Sequence, residues 1–237
     1  STNPLRRWEL TGARKLITLA GMAPALNEAW DPSKKRFSEL AAFTLKQTNP
    51  PRHLLAETNR EGPFALVEFS GAVPRLALYN HWEVALSNQL TLARLGSEDF
   101  DPSHTLLVDG ESTMRISSEG EKTVLPLCSS EPKPFERLEY ETYSPLRFTV
   151  DIKGVTQDSI LLINDRYNPK WKAFVNDEPV QVLRCNYIAR GIYLPPGDHH
   201  VEMRFEQPVH FFFLSFLLMA VGLPVVIIQL RKPENRS

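Results

Sequence analysis

The apolar positions change their spacing along the chain. From Trp8 to Leu19, and from Met22 to Trp30, they predict two short helices separated by Gly21. Asp31-Pro32-Ser33 reads as a turn, Lys34–Gln47 has both helical and alternating character, and Asn49-Pro50-Pro51 closes the segment. After Gly62-Pro63 the pattern becomes strand-like over Phe64–Phe69 and Arg75–Tyr79. Leu90, Leu92 and Leu95 mark the apolar side of a helix over Asn88–Leu95, with Ser87 placed to cap it. The FDPSHTLLVDG segment then reads as turn, strand, turn. Residues 1–135 are therefore expected to form a small mixed α/β unit, ending in the polar, proline-containing loop Ser129–Pro134.

From Arg137 onward every signal is β: Arg137–Tyr143, Arg147–Ile152, Ser159–Asp165, Trp171–Val175, Val180–Ile188, Gly191–Leu194 and His199–Phe205. Turn chemistry punctuates these runs at Lys153-Gly154, Tyr167-Asn168-Pro169, Asn176-Asp177 and Pro195-Pro196-Gly197-Asp198. Short strands at such regular spacing predict an antiparallel β-sandwich over 136–206. The last strand runs into a stretch without charge, Gln207–Leu230, long enough as a helix to cross a bilayer core about 30 Å thick. A transmembrane helix over 207–230 outweighs a buried core helix, because proline such as Pro224 is tolerated in spanning helices. In the tail 231–237, Arg231, Lys232 and Arg236 outnumber Glu234, which places that end in the cytoplasm and residues 1–206 outside. The predicted fold class is thus mixed: a small α/β N-terminal unit, an antiparallel β-sandwich and one C-terminal transmembrane helix. The chain opens Ser-Thr-Asn-Pro with no signal stretch, so an outside body implies a larger protein whose earlier spans precede it.

Composition narrows the classes. At 42% hydrophobic, 23% charged and 10% aromatic, 237 residues can build a core, which excludes a disordered tail, a disulfide knot and a collagen-like fibre. A net charge of −1 removes the electrostatic reason to expect nucleic acid as a partner. Nineteen prolines against eleven glycines favour strands and loops over a helical bundle. No dinucleotide or phosphate-loop glycine pattern, no nucleophile elbow and no zinc-protease motif is present, so neither a cofactor nor a metal is expected. His199 and His200 are adjacent on a strand and point to opposite faces, so they cannot close on one metal. Asp99/Asp101 and Asp109/Glu111 are acid–base candidates by type, but each pair flanks a turn where Asp is favoured for backbone reasons. Cys128 lies in a polar loop and Cys185 on a strand face with Leu183 and Tyr187; an oxidising compartment would permit a bridge between them.

The segment with the most chemical character is NDRYNPKWKAFVNDEPV. Tyr167 and Trp171 beside Asp165, Asn168 and Asn176 suit a sugar-stacking surface. A sandwich-core tryptophan ringed by turn residues explains the same pattern and carries more weight.

The order of motifs from this segment to the apolar run resembles the C-terminal end of YfhO-like bacterial membrane proteins. The resemblance rests on Asp165, Tyr167, Pro169 and Trp171, then Asn186, Arg190 and Gly191, then Leu194 to Gly197 with His199. Lys170 stands where that family commonly has glycine. EFSGAVPRLALYNHWEVA, LARLGSEDFDPSHTLLVDG and WELTGARKLI are similar to its upstream region. The resemblance implies a multi-pass protein of the GT-C glycosyltransferase type in the bacterial inner (cytoplasmic) membrane. Such a protein moves sugar from a polyprenyl-phosphate carrier to a cell-envelope acceptor on the outer face. Catalytic acids of that superfamily sit in early outer loops, so none transfers to these positions and this chain alone is expected to be non-catalytic. Its expected role is to shape or cover the acceptor side of the transferase site. A carbohydrate-binding sandwich with Asp165, Tyr167, Trp171, Asn186 and Arg190 as candidate contacts is one alternative, and a purely structural cap on the membrane bundle is the other. The partners implied are the lipid bilayer, the preceding membrane spans, a polyprenyl-phosphate sugar and an envelope glycan.

Overall fold

A computed structural model describes residues 4–48, 53–110, 114–116, 122–124, 131–206, 215–216, 218–220 and 222–223. The first layer is a four-stranded antiparallel sheet in the order β1 (Lys15–Leu19), β4 (Phe64–Phe69), β2 (Phe37–Thr48), β3 (His53–Thr58). Strict alternation in β4 turns Ala65, Val67 and Phe69 inward. They pack with Phe37 against Trp8 of helix α1 (Pro4–Thr11) and Leu26 and Trp30 of helix α2 (Met22–Trp30).

A seven-stranded sheet follows in the order β10 (Glu136–Arg137), β5 (Leu76–Tyr79), β13 (Ser159–Ile163), β17 (Ala189–Leu194), β16 (Leu183–Cys185), β7 (Leu106–Asp109), β6 (Trp82–Ala85). Its one parallel pair, β6 with β7, is bridged by helix α3 (Asn88–Leu95), as a parallel pair requires a crossover. Ser87 caps α3 by accepting from Leu90 N at 3.3 Å. A five-stranded sheet, β11 (Thr142–Ser144), β12 (Arg147–Val155), β18 (Gly197–Phe205), β14 (Trp171–Val175), β15 (Glu178–Val180), faces the seven-stranded one. A separate ribbon pairs β8 (Met114–Ile116) with β9 (Lys122–Val124).

The sandwich core lies between the two larger sheets. Leu76, Leu161, Ile163, Ile192 and Leu194 meet Phe148, Val150, Ile152, Ala173, Val201 and Met203 there. The reverse face of the seven-stranded sheet buries Tyr79, Trp82, Leu106, Ile160, Leu162 and Cys185. Strand β13 is consequently buried on both faces, which is why Ser-Ile-Leu-Leu-Ile shows no alternation. Burial also raises the pKa of the Cys185 thiol. Cys128, its candidate bridge partner, lies outside the described residues.

The fold class differs from the expectation. The chain is mostly β, including the part read as an α/β unit. The predicted helix over Trp8–Leu19 ends at Thr11; Gly12 takes φ 69° and Lys15–Leu19 becomes a strand, where β-branched Ile17 and Thr18 are at home. Lys34–Gln47 resolves to strand β2, and β5, β6 and β7 lie in the same sheet as β13, β16 and β17. The expected transmembrane helix is corrected as well: among the described residues no helix is long and apolar enough to cross a membrane. Helices α1, α2 and α3 have eight, nine and eight residues. At about 1.5 Å per residue they reach less than half of a bilayer core about 30 Å thick. Of Gln207–Leu230 the described residues are 215–216, 218–220 and 222–223; the remainder, and the tail 231–237, lie outside them.

A buried ion network ties the N-terminal layer together. Arg36 donates from Nε to Asp31 Oδ2 at 2.8 Å and from Nη2 to Glu9 Oε1 at 2.9 Å, and Arg6 reaches Glu9 Oε2 at 2.8 Å. The Asp31 side chain is 2% exposed. Burial works against its charge, but the Arg36 side chain and backbone N–H outweigh that and lower its pKa below the usual 3.8. A depressed carboxylate pKa contributes stability above the unfolded value, and that contribution is lost as pH falls through the folded one. We expect the melting temperature to fall below about pH 4 and to fall less steeply in Asp31→Asn, which should be less stable at neutral pH. Equal acid slopes in thermal melts of the two proteins would contradict this.

Candidate functional site: the Asp165–Arg190 node and its two grooves

Strand β13 delivers the NDRYNPKW segment to the rim of the sandwich. Asn164 closes the strand: its N–H donates to Arg75 O at 2.8 Å, and its side-chain amide donates to Leu10 O at 3.1 Å, joining the loop to α1. The next residues follow ordinary turn chemistry. Asn168 Oδ1 accepts from Lys170 N at 2.9 Å and Asn168 O from Trp171 N at 3.0 Å, as asparagine before proline favours. Tyr167 N donates to Ile188 O at 2.6 Å, holding the loop against the β16–β17 turn.

Arg190 sits opposite Ile163 in the β13–β17 register and reaches across the sandwich. Its side chain is only 3% exposed. The guanidinium lies 4.3 Å from the centre of the Trp171 ring and 6.0 Å from that of Phe148, and its Nη2 is 3.1 Å from Asp165 Oδ2. The same Asp165 oxygen accepts from Arg75 Nη2 at 3.1 Å. One carboxylate thus serves two guanidiniums. Burial lowers the Arg190 pKa against the opposing pull of Asp165, whereas for Arg75 the bonds to Asp165 and Tyr143 outweigh burial and raise it. On the opposite face of β17, Gly191 leaves room for close packing, since a Cβ there would stand 2.5 Å from Cys185 Sγ and 3.0 Å from Ile160 Cγ2.

Two grooves flank this node. The first, of about 480 Å³, is lined by Tyr167, Pro169, Trp171, Phe174, Lys172 and Gln181, among others. Trp171 is half-buried and does two things at once: it packs on Phe148 and Phe205 at the core margin, and it lines the groove. Tyr167 belongs to no core cluster and lines the same groove. The second groove, of about 470 Å³, lies on the Arg75 side of the node.

Of the five candidates, the structure brings Asp165 and Trp171 each into contact with Arg190 and sets Tyr167 beside Trp171 in one groove. Asn186 does not join them. It is buried, at φ 43°, with its Oδ1 accepting from Leu107 N at 3.0 Å and its N–H donating to Leu107 O at 2.8 Å. It continues the sheet hydrogen bonding toward β7 and holds a left-handed turn with Tyr187 at φ 72°. Arg75, Tyr140 and Tyr143 complete the node and are invisible to a sequence reading, since 90 residues separate Arg75 from Asp165. His199 and His200 point to opposite faces: His199 is buried with Nε2 2.7 Å from Pro195 O, and exposed His200 pairs with Asp151 at 2.5 Å. That ion pair, with Glu141 nearby, lies on the solvent face of β12 and β18.

No protein-family model matches the chain, and no curated protein matches it. Among solved structures, 93% of this chain is similar to 14% of the cryo-EM structure of the arabinofuranosyltransferase AftD from mycobacteria, at 12% identity and a TM-score of 0.33. A mutant of the same protein matches 48% of this chain with 9% of its own, at 19% identity and a TM-score of 0.33. The chain therefore spans a small part of that glycosyltransferase's length, and likeness at this level fixes neither fold nor activity.

Proposed function

We propose that this chain is a carbohydrate-recognising module of a glycosyltransferase-type protein, holding a neutral saccharide face against Tyr167 and Trp171. The observation that carries the reading is the first groove. Saccharides present an apolar C–H face and a rim of hydroxyls, and the groove offers rings for the one and the Lys172 and Gln181 side chains for the other. The buried Arg190 behind Trp171 fixes the indole so that little ordering remains for a ligand to impose. The finer reading is that the module serves a YfhO-like parent in the bacterial cytoplasmic membrane. There it would face the extracytoplasmic side, where polyprenyl-phosphate-linked sugar passes to an envelope acceptor. The motif order from Asp165 to His199 supports it. In this role the chain positions an acceptor and does not itself break a glycosidic bond.

The test is a calorimetric titration of the full chain with a panel of neutral methyl glycosides. Tyr167→Ala should weaken whatever glycoside binds by roughly five- to tenfold, the effect of losing one stacked ring, with an unchanged melting temperature. Unaltered affinity in this variant, or no glycoside binding by the parent chain, would remove the reading.

A further inference from the structure

The second groove has a different chemistry from the first. Arg14, Arg75 and Arg137 line it with Tyr140, and Glu139 is the one carboxylate in its wall. Two of these arginines already meet acids: Arg14 reaches Glu68 at 2.8 Å, and Arg75 reaches Asp165 at 3.1 Å. Asp165 is shared with Arg190, so the positive charges of this cluster, four with Arg137, exceed the three negative ones of Glu68, Glu139 and Asp165. Arg137 extends from β10 and makes no ion pair among the described residues.

The unbalanced charge is also poorly screened. Arg190 is 3% exposed, and its Nε and Nη1 have no hydrogen-bond partner. The Tyr140 hydroxyl beside it is likewise closed off and unpartnered, and the Tyr140 ring lies 5.5 Å beneath the Arg75 guanidinium. The two Arg190 nitrogens can only donate, and the Tyr140 hydroxyl can donate or accept. Buried donors without acceptors are rare in folded proteins, and a buried cation sharing its counter-ion projects its field into the nearest opening. The other cation on that carboxylate, Arg75, lines the groove with its side chain half-exposed, and Arg137 is exposed there.

We propose that this groove is an oxyanion site, binding a phosphoryl or carboxylate group through Arg75 and Arg137 with the Arg190–Asp165 pair behind them. Guanidinium forks match both oxyanions in two-point geometry, so the shared chemistry is what the groove recognises. It is separate from the Tyr167–Trp171 groove and does not depend on neutral-sugar binding there.

The experiment titrates the full chain with inorganic phosphate at constant ionic strength, followed by glucose 1-phosphate, glucuronate and glucose. Saturable phosphate binding is expected, and Arg137→Gln should weaken it about tenfold, the loss of one charge-assisted contact, without lowering the melting temperature. Arg60→Gln, which removes the same charge from an exposed site elsewhere, should leave it unchanged. Preference for glucose 1-phosphate would assign a phosphoryl ligand and preference for glucuronate a carboxylate one; each supports the site. Absence of saturation, or equal weakening by Arg137→Gln and Arg60→Gln, would overturn it. Glucose binding that survives Arg137→Gln but not Tyr167→Ala keeps the two grooves distinguishable whichever result is obtained.

Discussion

Asp165→Ala is expected to destabilise the fold by about 3–5 kcal/mol, far more than removal of a surface ion pair, because it strands a buried cation. Arg190 is 3% exposed and, among the described residues, Asp165 is its one carboxylate partner, at 3.1 Å. With that partner gone, the guanidinium keeps its contact with Trp171 at 4.3 Å but loses the charge that offset its desolvation. Arg75, held by the same oxygen, would then add repulsion. Asp165 is 28% exposed, so water entering from its side should hold the effect toward the lower end of that range. Urea denaturation of the variant measures it directly. The mechanism has its own signature: Asp165→Ala combined with Arg190→Met should be more stable than Asp165→Ala alone, since the second change removes the stranded charge and keeps the volume. A double variant less stable than the single one would show that Arg190 contributes through packing and not through its charge.

How much of this was legible beforehand depends on the range of the interaction. Local features were readable: the Ser87 cap and apolar side of Asn88–Leu95, the alternation of Phe64–Phe69, and the turn at Asn168-Pro169 all rest on neighbours within a few positions. Sheet membership was not. Leu76–Tyr79 pairs with Ile160–Ile163 across eighty residues, and nothing in either run names the other as partner. Lys15–Leu19 follows α1 after only a short reversal at Gly12, and apolar spacing alone does not register that break. The spanning-helix expectation rests on apolar content and length, properties of a sequence window; among the described residues no helix is long and apolar enough to cross, and α1, α2 and α3 are each shorter than any bilayer core. For the candidate site, Asp165 and Trp171 stand out by residue type and Arg190 by the motif order, and Arg190 meets the other two in space. The same motif order points to Asn186 as a ligand contact, yet its side-chain oxygen accepts from the Leu107 backbone N–H. Arg75, Arg137 and Tyr140 lay outside the motif, in segments whose patterns gave them no distinction.

The remaining large effect separates scaffold from recognition at Trp171. Truncation to alanine should destabilise by about 3 kcal/mol, the lower end for a large aromatic side chain because this one is only half-buried. The loss has three sources: packing on Phe148 at 5.9 Å, on Phe205 at 5.4 Å, and the cation–π contact with Arg190 at 4.3 Å. Glycoside affinity should fall in the same variant, so Trp171→Ala alone cannot say which role matters to the ligand. Trp171→Phe can. A phenyl ring keeps most of the packing and a face for Arg190, and should restore more than half of the lost stability, while presenting a smaller platform to the groove. Paired with Tyr167→Ala, whose ring touches no core cluster, the series predicts two independent axes: Trp171→Ala moves both stability and binding, Tyr167→Ala moves binding alone, and Trp171→Phe recovers stability ahead of binding. Chemical denaturation and calorimetric titration of the three variants read the two axes separately. Should binding follow stability in strict proportion across all three, Trp171 would be a core residue that happens to border a groove, and the saccharide would have to be sought elsewhere on the molecule.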